Sequence, residues 1–196
     1  MENHLSANYW NARISKQDMP WDIGYPSTPI KTYIDGIQDK NISVLIPGCG
    51  NAYEAEYMLQ KGFTDLTLID IAEEQTTALK QKFSAYHNSV QIITGNFFDH
   101  LGKYDLVLEQ TFFCALDPSL RNAYADKMAA LLKPGGELAG VLFNCSFTES
   151  PPFGGSIAEY QKIFLDKFCI HKLDICYNSI PKRNGNECFI VLTTHG

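Results

Sequence analysis

Gly48 and Gly50 flank Cys49 directly after the apolar run Val44-Leu45-Ile46-Pro47, and Asp70 closes a second apolar run, Leu66-Thr67-Leu68-Ile69. Glycine lets a backbone pass close to a ligand, and an acid at the tip of the next strand can hold a ribose. Together they form half of a nucleotide site, although a plain strand–helix turn would use the same two glycines. Asn96 and Phe97 follow a third strand-like run. An amide there can bond an adenine edge while the ring covers its face, and Phe97 and Phe98 read equally well as core aromatics. Glu109-Gln110 ends a fourth run, at the edge where open α/β sheets bind ligands.

The turn discriminates among nucleotides. A dinucleotide fingerprint needs a third glycine where this chain has Tyr53, and a P-loop needs a following Gly-Lys-Ser/Thr that is missing. Two glycines without the third suit a ligand whose carboxylate and ribose cross the turn without a pyrophosphate. S-adenosylmethionine is such a ligand. No Asn/Asp-Pro-Pro-aromatic sequence follows Glu109-Gln110, so the signature of enzymes that methylate nucleic-acid amino groups is missing.

These residues must be held by alternating strands and helices. Hydrophobic periodicity predicts strands over 42–46, 65–69, 90–94, 104–109 and 137–143, with helices over 52–61, 73–86 and 118–132. Runs such as Leu106-Val107-Leu108 are apolar on both faces, as a covered parallel sheet demands. Asp117-Pro118 starts the third helix and Lys133-Pro134-Gly135-Gly136 stops it. A helix over 157–167 and two β segments, 170–177 and 187–194, complete an antiparallel addition to the sheet. The first 40 residues carry Trp10, Trp21 and three prolines, and read as an arm packed on the core or its ligand. The expectation is a single domain over 1–196, with the arm over 1–40 and an α/β core over 41–196.

With 45% apolar and 19% charged residues the chain reads as a soluble globular protein. A net charge of −6 gives no footprint for nucleic acid. No apolar run is long enough to span a bilayer, and the N-terminus lacks the pattern of a signal peptide, so a cytoplasmic location is expected. The six cysteines lack metal-ligand spacing, and most are expected inside apolar strands; no metal is expected. None of the five histidines lies beside a motif, and each is expected at the surface.

At this point the chain resembles the thiopurine methyltransferase-like class I methyltransferases, and within them the halide/thiol (thiocyanate) methyltransferases. The resemblance rests on Trp10 with Met19-Pro20-Trp21-Asp22-Ile23-Gly24, Ile46-Pro47-Gly48-Cys49-Gly50 and Leu68-Ile69-Asp70-Ile71. It continues through Phe112-Phe113-Cys114-Ala115-Leu116-Asp117-Pro118, Leu131-Leu132-Lys133-Pro134-Gly135-Gly136, Pro151-Pro152-Phe153 and Ile180-Pro181-Lys182-Arg183. It implies a doubly wound, mostly parallel seven-stranded α/β sheet, Rossmann-like, with an antiparallel C-terminal strand and an N-terminal helical lid. It also implies methyl transfer from S-adenosylmethionine to a small acceptor: a thiol, thiocyanate or halide. Trp10 and Trp21 match arm positions that wrap the cofactor, Gly48 the turn under its methionine, Asp70 the ribose acid, Asn96-Phe97 the adenine pair and Gln110 a position near the sulfonium. Cys49, Gly50 and Ile71 belong to the same cofactor set, as does Ile14, which stands where relatives have a second tryptophan. Asn96 replaces an acid, and Gln110 an aromatic or arginine.

Asp22, Tyr25, Phe113, Phe153 and Arg183 are the candidates for an acceptor pocket, the aromatics as an apolar slot and Arg183 as an anion attractor. Phe113 and Phe153 read equally as core. A thiolate, halide or thiocyanate needs no general base, and no certain catalytic residue stands out. A monomer or weak dimer acting on a small molecule is expected. A cofactor-binding protein without turnover, or less readily a nicotinamide oxidoreductase, are the other readings.

Overall fold

The computed structural model describes residues 5–195. Seven strands form one sheet: β1 (Val44–Pro47), β2 (Leu66–Asp70), β3 (Val90–Thr94), β4 (Tyr104–Gln110), β5 (Leu132–Phe143), β6 (Phe168–Ile175) and β7 (Glu187–Thr194). Their order is β3-β2-β1-β4-β5-β7-β6, with the first five parallel and β7 running antiparallel between β5 and β6. This is the class I methyltransferase arrangement expected from the sequence.

Among the described residues, six α-helices accompany the sheet: α1 (Ala7–Ser15), α2 (Thr28–Gly36), α3 (Tyr53–Gln60), α4 (Glu73–Lys82), α5 (Arg121–Leu131) and α6 (Ile157–Phe164). Alternate residues of each central strand face opposite sides, which gives two cores. Val44, Ile46, Leu66 and Leu68 pack with Ile30 and Ile34 of α2 and Met58 of α3. Leu45, Ile69 and Val107 pack on the other side with Tyr124 and Met128 of α5 and Phe164 of α6. Covering both faces explains why the central strands read as unbroken apolar runs.

Boundaries differ where short-range pattern is ambiguous. The helix expected over 73–86 ends at Lys82 and continues as a tight turn over Ser84–Tyr86. Strand β5 begins at Leu132, because Tyr104 pairs with Leu132 before the register shifts to Leu106 with Glu137. Lys133-Pro134-Gly135-Gly136 still stops α5, but as an irregularity at the start of the strand. The first strand of the closing pair starts earlier, at Phe168, whose ring seals α6 against the sheet.

Two expectations on side-chain placement are corrected. Only Cys169 and Cys188 lie within strands; Cys49 sits in the glycine turn, Cys114 in a tight turn, and Cys145 and Cys176 outside regular elements. His100 is buried rather than exposed, its ring stacked on Tyr104 with the hydroxyl 2.7 Å from Nε2. His4 lies outside the described residues. No described helix is long and apolar enough to cross a membrane.

Candidate active site

β1 is the point where strand order reverses, with β2 on one side and β4 on the other. Diverging connections open a crevice at the carboxyl ends of such strands. The chain has a cavity of about 490 Å³ there, within the size range of small-molecule sites. Gly48 leaves β1 at φ +55°, Gly50 follows at φ +48°, and Ala52 enters α3 at φ +52°. A β-carbon on Gly48 would lie 2.3 Å from Cδ2 of Phe112, so the turn passes over that ring as bare backbone.

Asp70, at the end of β2, accepts hydrogen bonds from the Gly50 amide (3.1 Å) and the Ala72 amide (2.9 Å). Burial raises its carboxyl, and these amides offset part of that shift. The turn and the acid are thus one hydrogen-bonded unit bordering the cavity. Cys49 is buried between them and burial pushes its thiol well up, which makes it a packing residue rather than a thiolate.

At the end of β3, Asn96 is engaged locally. Its Oδ1 accepts from the Phe98 amide (3.1 Å) and its Nδ2 donates to Asp99 (3.1 Å). Phe97 is buried edge-on against Phe98 and Phe112, and Phe98 is half-buried beside it; both line the cavity.

The arm closes the opposite side. Trp10 and Trp21 meet edge to face at 5.5 Å, with the Arg13 guanidinium 4.9 Å from the Trp21 ring centre. Ser15 ties α1 to Glu74 of α4 at 2.7 Å, and Ser27 donates to Gln110 Oε1 at 2.7 Å. Asp22 is the main tether: Asn51 and the Tyr53 hydroxyl both donate to its Oδ2, and the Gly24 amide to its Oδ1. Gln75 in turn donates to Asn51 at 2.9 Å. Tyr53, whose bulk excluded a dinucleotide, therefore clasps the arm to the turn.

Trp10, Ile14, Trp21, Gly48, Cys49, Gly50, Asp70, Ile71, Asn96, Phe97 and Gln110 all border this one cavity, as do Asp22, Tyr25 and Arg183. Phe113 and Phe153 are not brought into it. Phe113 is 1% exposed and packed edge-on against Tyr124 and Tyr160. Phe153 is tied through its backbone to Cys114 while Pro151 and Pro152 take the lining position. Cys114, Leu116, Leu120 and the two prolines border the cavity in their place.

Sequence reasoning missed Thr111 and Glu54, and it placed Glu109 at the ligand edge of the sheet without its buried role. Thr111 follows β4 with φ +59°, a conformation that non-glycine residues seldom adopt and that clusters at functional sites. Glu109 is fully buried and accepts from the Phe112 amide (2.8 Å), the Phe113 amide (3.0 Å) and the Tyr124 hydroxyl (2.6 Å), fixing the loop that holds Phe112 under Gly48. Glu54, in the first turn of α3, is buried at the cavity wall, and burial raises its carboxyl. A charged residue next to an apolar run was the only available signal for the two acids.

The residues present fit S-adenosylmethionine. The cavity offers the bare backbone of the Gly48–Gly50 turn, the Asp70 carboxylate beside it and aromatic rings from the arm and from the ends of β3 and β4, a set that suits its methionine, ribose and adenine.

The family model described as thiopurine S-methyltransferase matches residues 5–190. A probable thiol methyltransferase of Arabidopsis thaliana is 31% identical over 82% of this chain and 73% of its own length. A thiocyanate methyltransferase of the same plant is 25% identical over 91% of this chain and 81% of its own length. Among solved structures, a magnesium protoporphyrin IX methyltransferase from Synechocystis with bound S-adenosylhomocysteine superposes with a TM-score of 0.74 at 17% identity, covering 96% of this chain and 98% of that one. A Burkholderia thailandensis 1,6-didemethyltoxoflavin N1-methyltransferase gives 0.73 at 16% identity, with 97% and 85% covered. At these identities the solved structures speak for the fold.

Proposed function

The chain belongs to the thiopurine S-methyltransferase family and is an S-adenosylmethionine-dependent methyltransferase, and from that premise we propose that its acceptor is a small sulfur nucleophile or halide: a thiol, thiocyanate or halide ion. The observation that carries this reading is the kinship to plant thiol and thiocyanate methyltransferases over most of the chain.

When bound, S-adenosylmethionine supplies a methyl group already activated by its sulfonium. This chain's residues then have to bind, orient and exclude water. Asp70 would hold the ribose and the Gly48–Gly50 backbone would take the methionine, while Asp22 keeps the arm tied to that turn. Asn96 and Phe97 would flank the adenine. Trp10 and Trp21 would cover the cofactor from the arm, and the wall of Leu116, Leu120, Pro151 and Pro152 would confine the acceptor. In general, holding an attack line can contribute about 7–11 kcal/mol.

A panel of iodide, thiocyanate, bisulfide and aromatic and aliphatic thiols, read by S-adenosylhomocysteine release, tests the proposal. Methylation of none of them, by protein that binds S-adenosylmethionine in calorimetry, would overturn it. A single domain, a cytoplasmic location and a monomer or weak dimer belong to the same proposal.

A further inference from the structure

Arg183 is the single cation among the described residues that border the cavity, which also carries Asp22, Glu54, Asp70 and Asp117. The sequence suggests it as an anion attractor. Its surroundings point elsewhere. Arg183 ends the tight turn Pro181–Arg183 and is 8% exposed. Its Nη1 lies 3.4 Å from Oε1 of Glu187, and its Nη2 donates to the Trp21 carbonyl at 3.0 Å. Its guanidinium carbon is 5.5 Å from the centre of the Phe143 ring.

Glu187 is more deeply buried than its partner, at 2% exposure. It opens β7, where its carbonyl accepts from the Cys176 amide and its backbone pairs with Phe143 of β5. The sheet therefore fixes the backbone that carries the carboxylate. Glu187 does not border the cavity but acts there through Arg183, and its charge is also felt by Cys114 of the wall. Glu54, which does border the cavity, feels the Arg183 charge as well. One guanidinium thus answers two buried carboxylates and a carbonyl. An anion arriving beside it must compete with Glu187 in a desolvated setting, where a charge is costly unless paired.

We propose that Glu187 sets acceptor specificity by neutralising Arg183, so that the cavity takes up an uncharged thiol ahead of thiocyanate, iodide or another inorganic anion. The remaining wall of Cys114, Leu116, Leu120 and the two prolines suits a neutral apolar body. Such an acceptor binds as the thiol and keeps its proton until attack. Its sulfur bonds to the methyl carbon as the sulfonium carbon–sulfur bond breaks, with that electron pair staying on the departing thioether, and the methylated sulfur then gives its proton to water at the mouth, where Tyr25 is exposed. Each turnover of a thiol releases one proton, whereas thiocyanate releases none. The inference rests on the sulfur- or halide-directed reading above but is tested separately from it.

The test measures thiocyanate binding to protein loaded with S-adenosylhomocysteine, by calorimetry, in wild type, Glu187→Gln and Glu187→Asp. Removing the carboxylate charge should tighten thiocyanate binding by about tenfold, whereas the aspartate variant, which keeps the charge, should show little gain. In turnover, the thiocyanate-to-alkanethiol ratio of kcat/KM should rise in Glu187→Gln by a similar factor. Should that variant fail to fold, Glu54→Gln removes the other carboxylate near Arg183 and should tighten thiocyanate binding several-fold. Unchanged or weaker thiocyanate binding in the folded glutamine variants, or equal gains in Glu187→Gln and Glu187→Asp, overturns the proposal. Failure of the broader reading would show instead as no methylation of any acceptor in the wild-type panel, which leaves the binding measurement intact.

Discussion

Phe112 lies so close under Gly48 that a β-carbon on the glycine would fall 2.3 Å from its ring. The turn after β1 and the loop after β4 are therefore built to a single clearance, although they are far apart in sequence. Glu109 maintains that clearance from below by binding the amides of Phe112 and Phe113.

Gly48→Ala should abolish this fit. The side chain strikes Phe112, and φ +55° is strained for alanine by about 1 kcal/mol or more. Calorimetry with S-adenosylhomocysteine should show affinity reduced by about tenfold or more. Binding equal to wild type would mean that the ligand does not cross this turn.

Asp70→Asn keeps size and removes charge. Charge-assisted hydrogen bonds to the ribose contribute roughly 1.5–3 kcal/mol each. Affinity for S-adenosylmethionine should therefore drop by about tenfold to a hundredfold. An unaltered dissociation constant would remove Asp70 from the ribose site.

Deleting residues 1–24 should leave a folded protein that retains cofactor poorly. Helix α1 contains no buried residue, so the two cores stay closed without it. The deletion removes Trp10, Trp21 and the Asp22 tether to Asn51 and Tyr53. Circular dichroism should report an intact sheet, and calorimetry a loss of binding of about tenfold or more. Full retention of binding would make the arm a structural element only.

Glu109 predicts a pH dependence of stability. Burial raises its carboxyl to about 7, against 4.5 for a free side chain, with the Tyr124 hydroxyl and the Phe113 and Phe112 amides holding it down. Between those two values the folded protein binds the proton that the unfolded chain has lost, so the group's contribution to stability declines as pH rises and the loss is complete above about pH 7. Glu109→Gln cannot titrate. On going from about pH 5.5 to pH 8, urea unfolding should show the wild type losing roughly 2 kcal/mol more than the variant. Parallel pH profiles for the two proteins would refute the assignment.

Local pattern carried much of this protein. Two glycines after an apolar run, an acid at the end of the next and the apolar periods between them determined the order of elements and the kind of cofactor, because each depends on residues close in sequence. The tertiary structure decided what each side chain meets. Phe113 and Arg183 looked alike as pocket candidates, yet Phe113 turns into the core between Tyr124 and Tyr160, while Arg183 reaches the cavity already paired with Glu187. Tyr53 told only against a dinucleotide until folding brought its hydroxyl to Asp22, and Glu109 read as a residue at the ligand edge until Tyr124 and two amides closed on it inside the core. Such contacts join elements remote in sequence, so they follow from packing across the sheet rather than from the period of any one element.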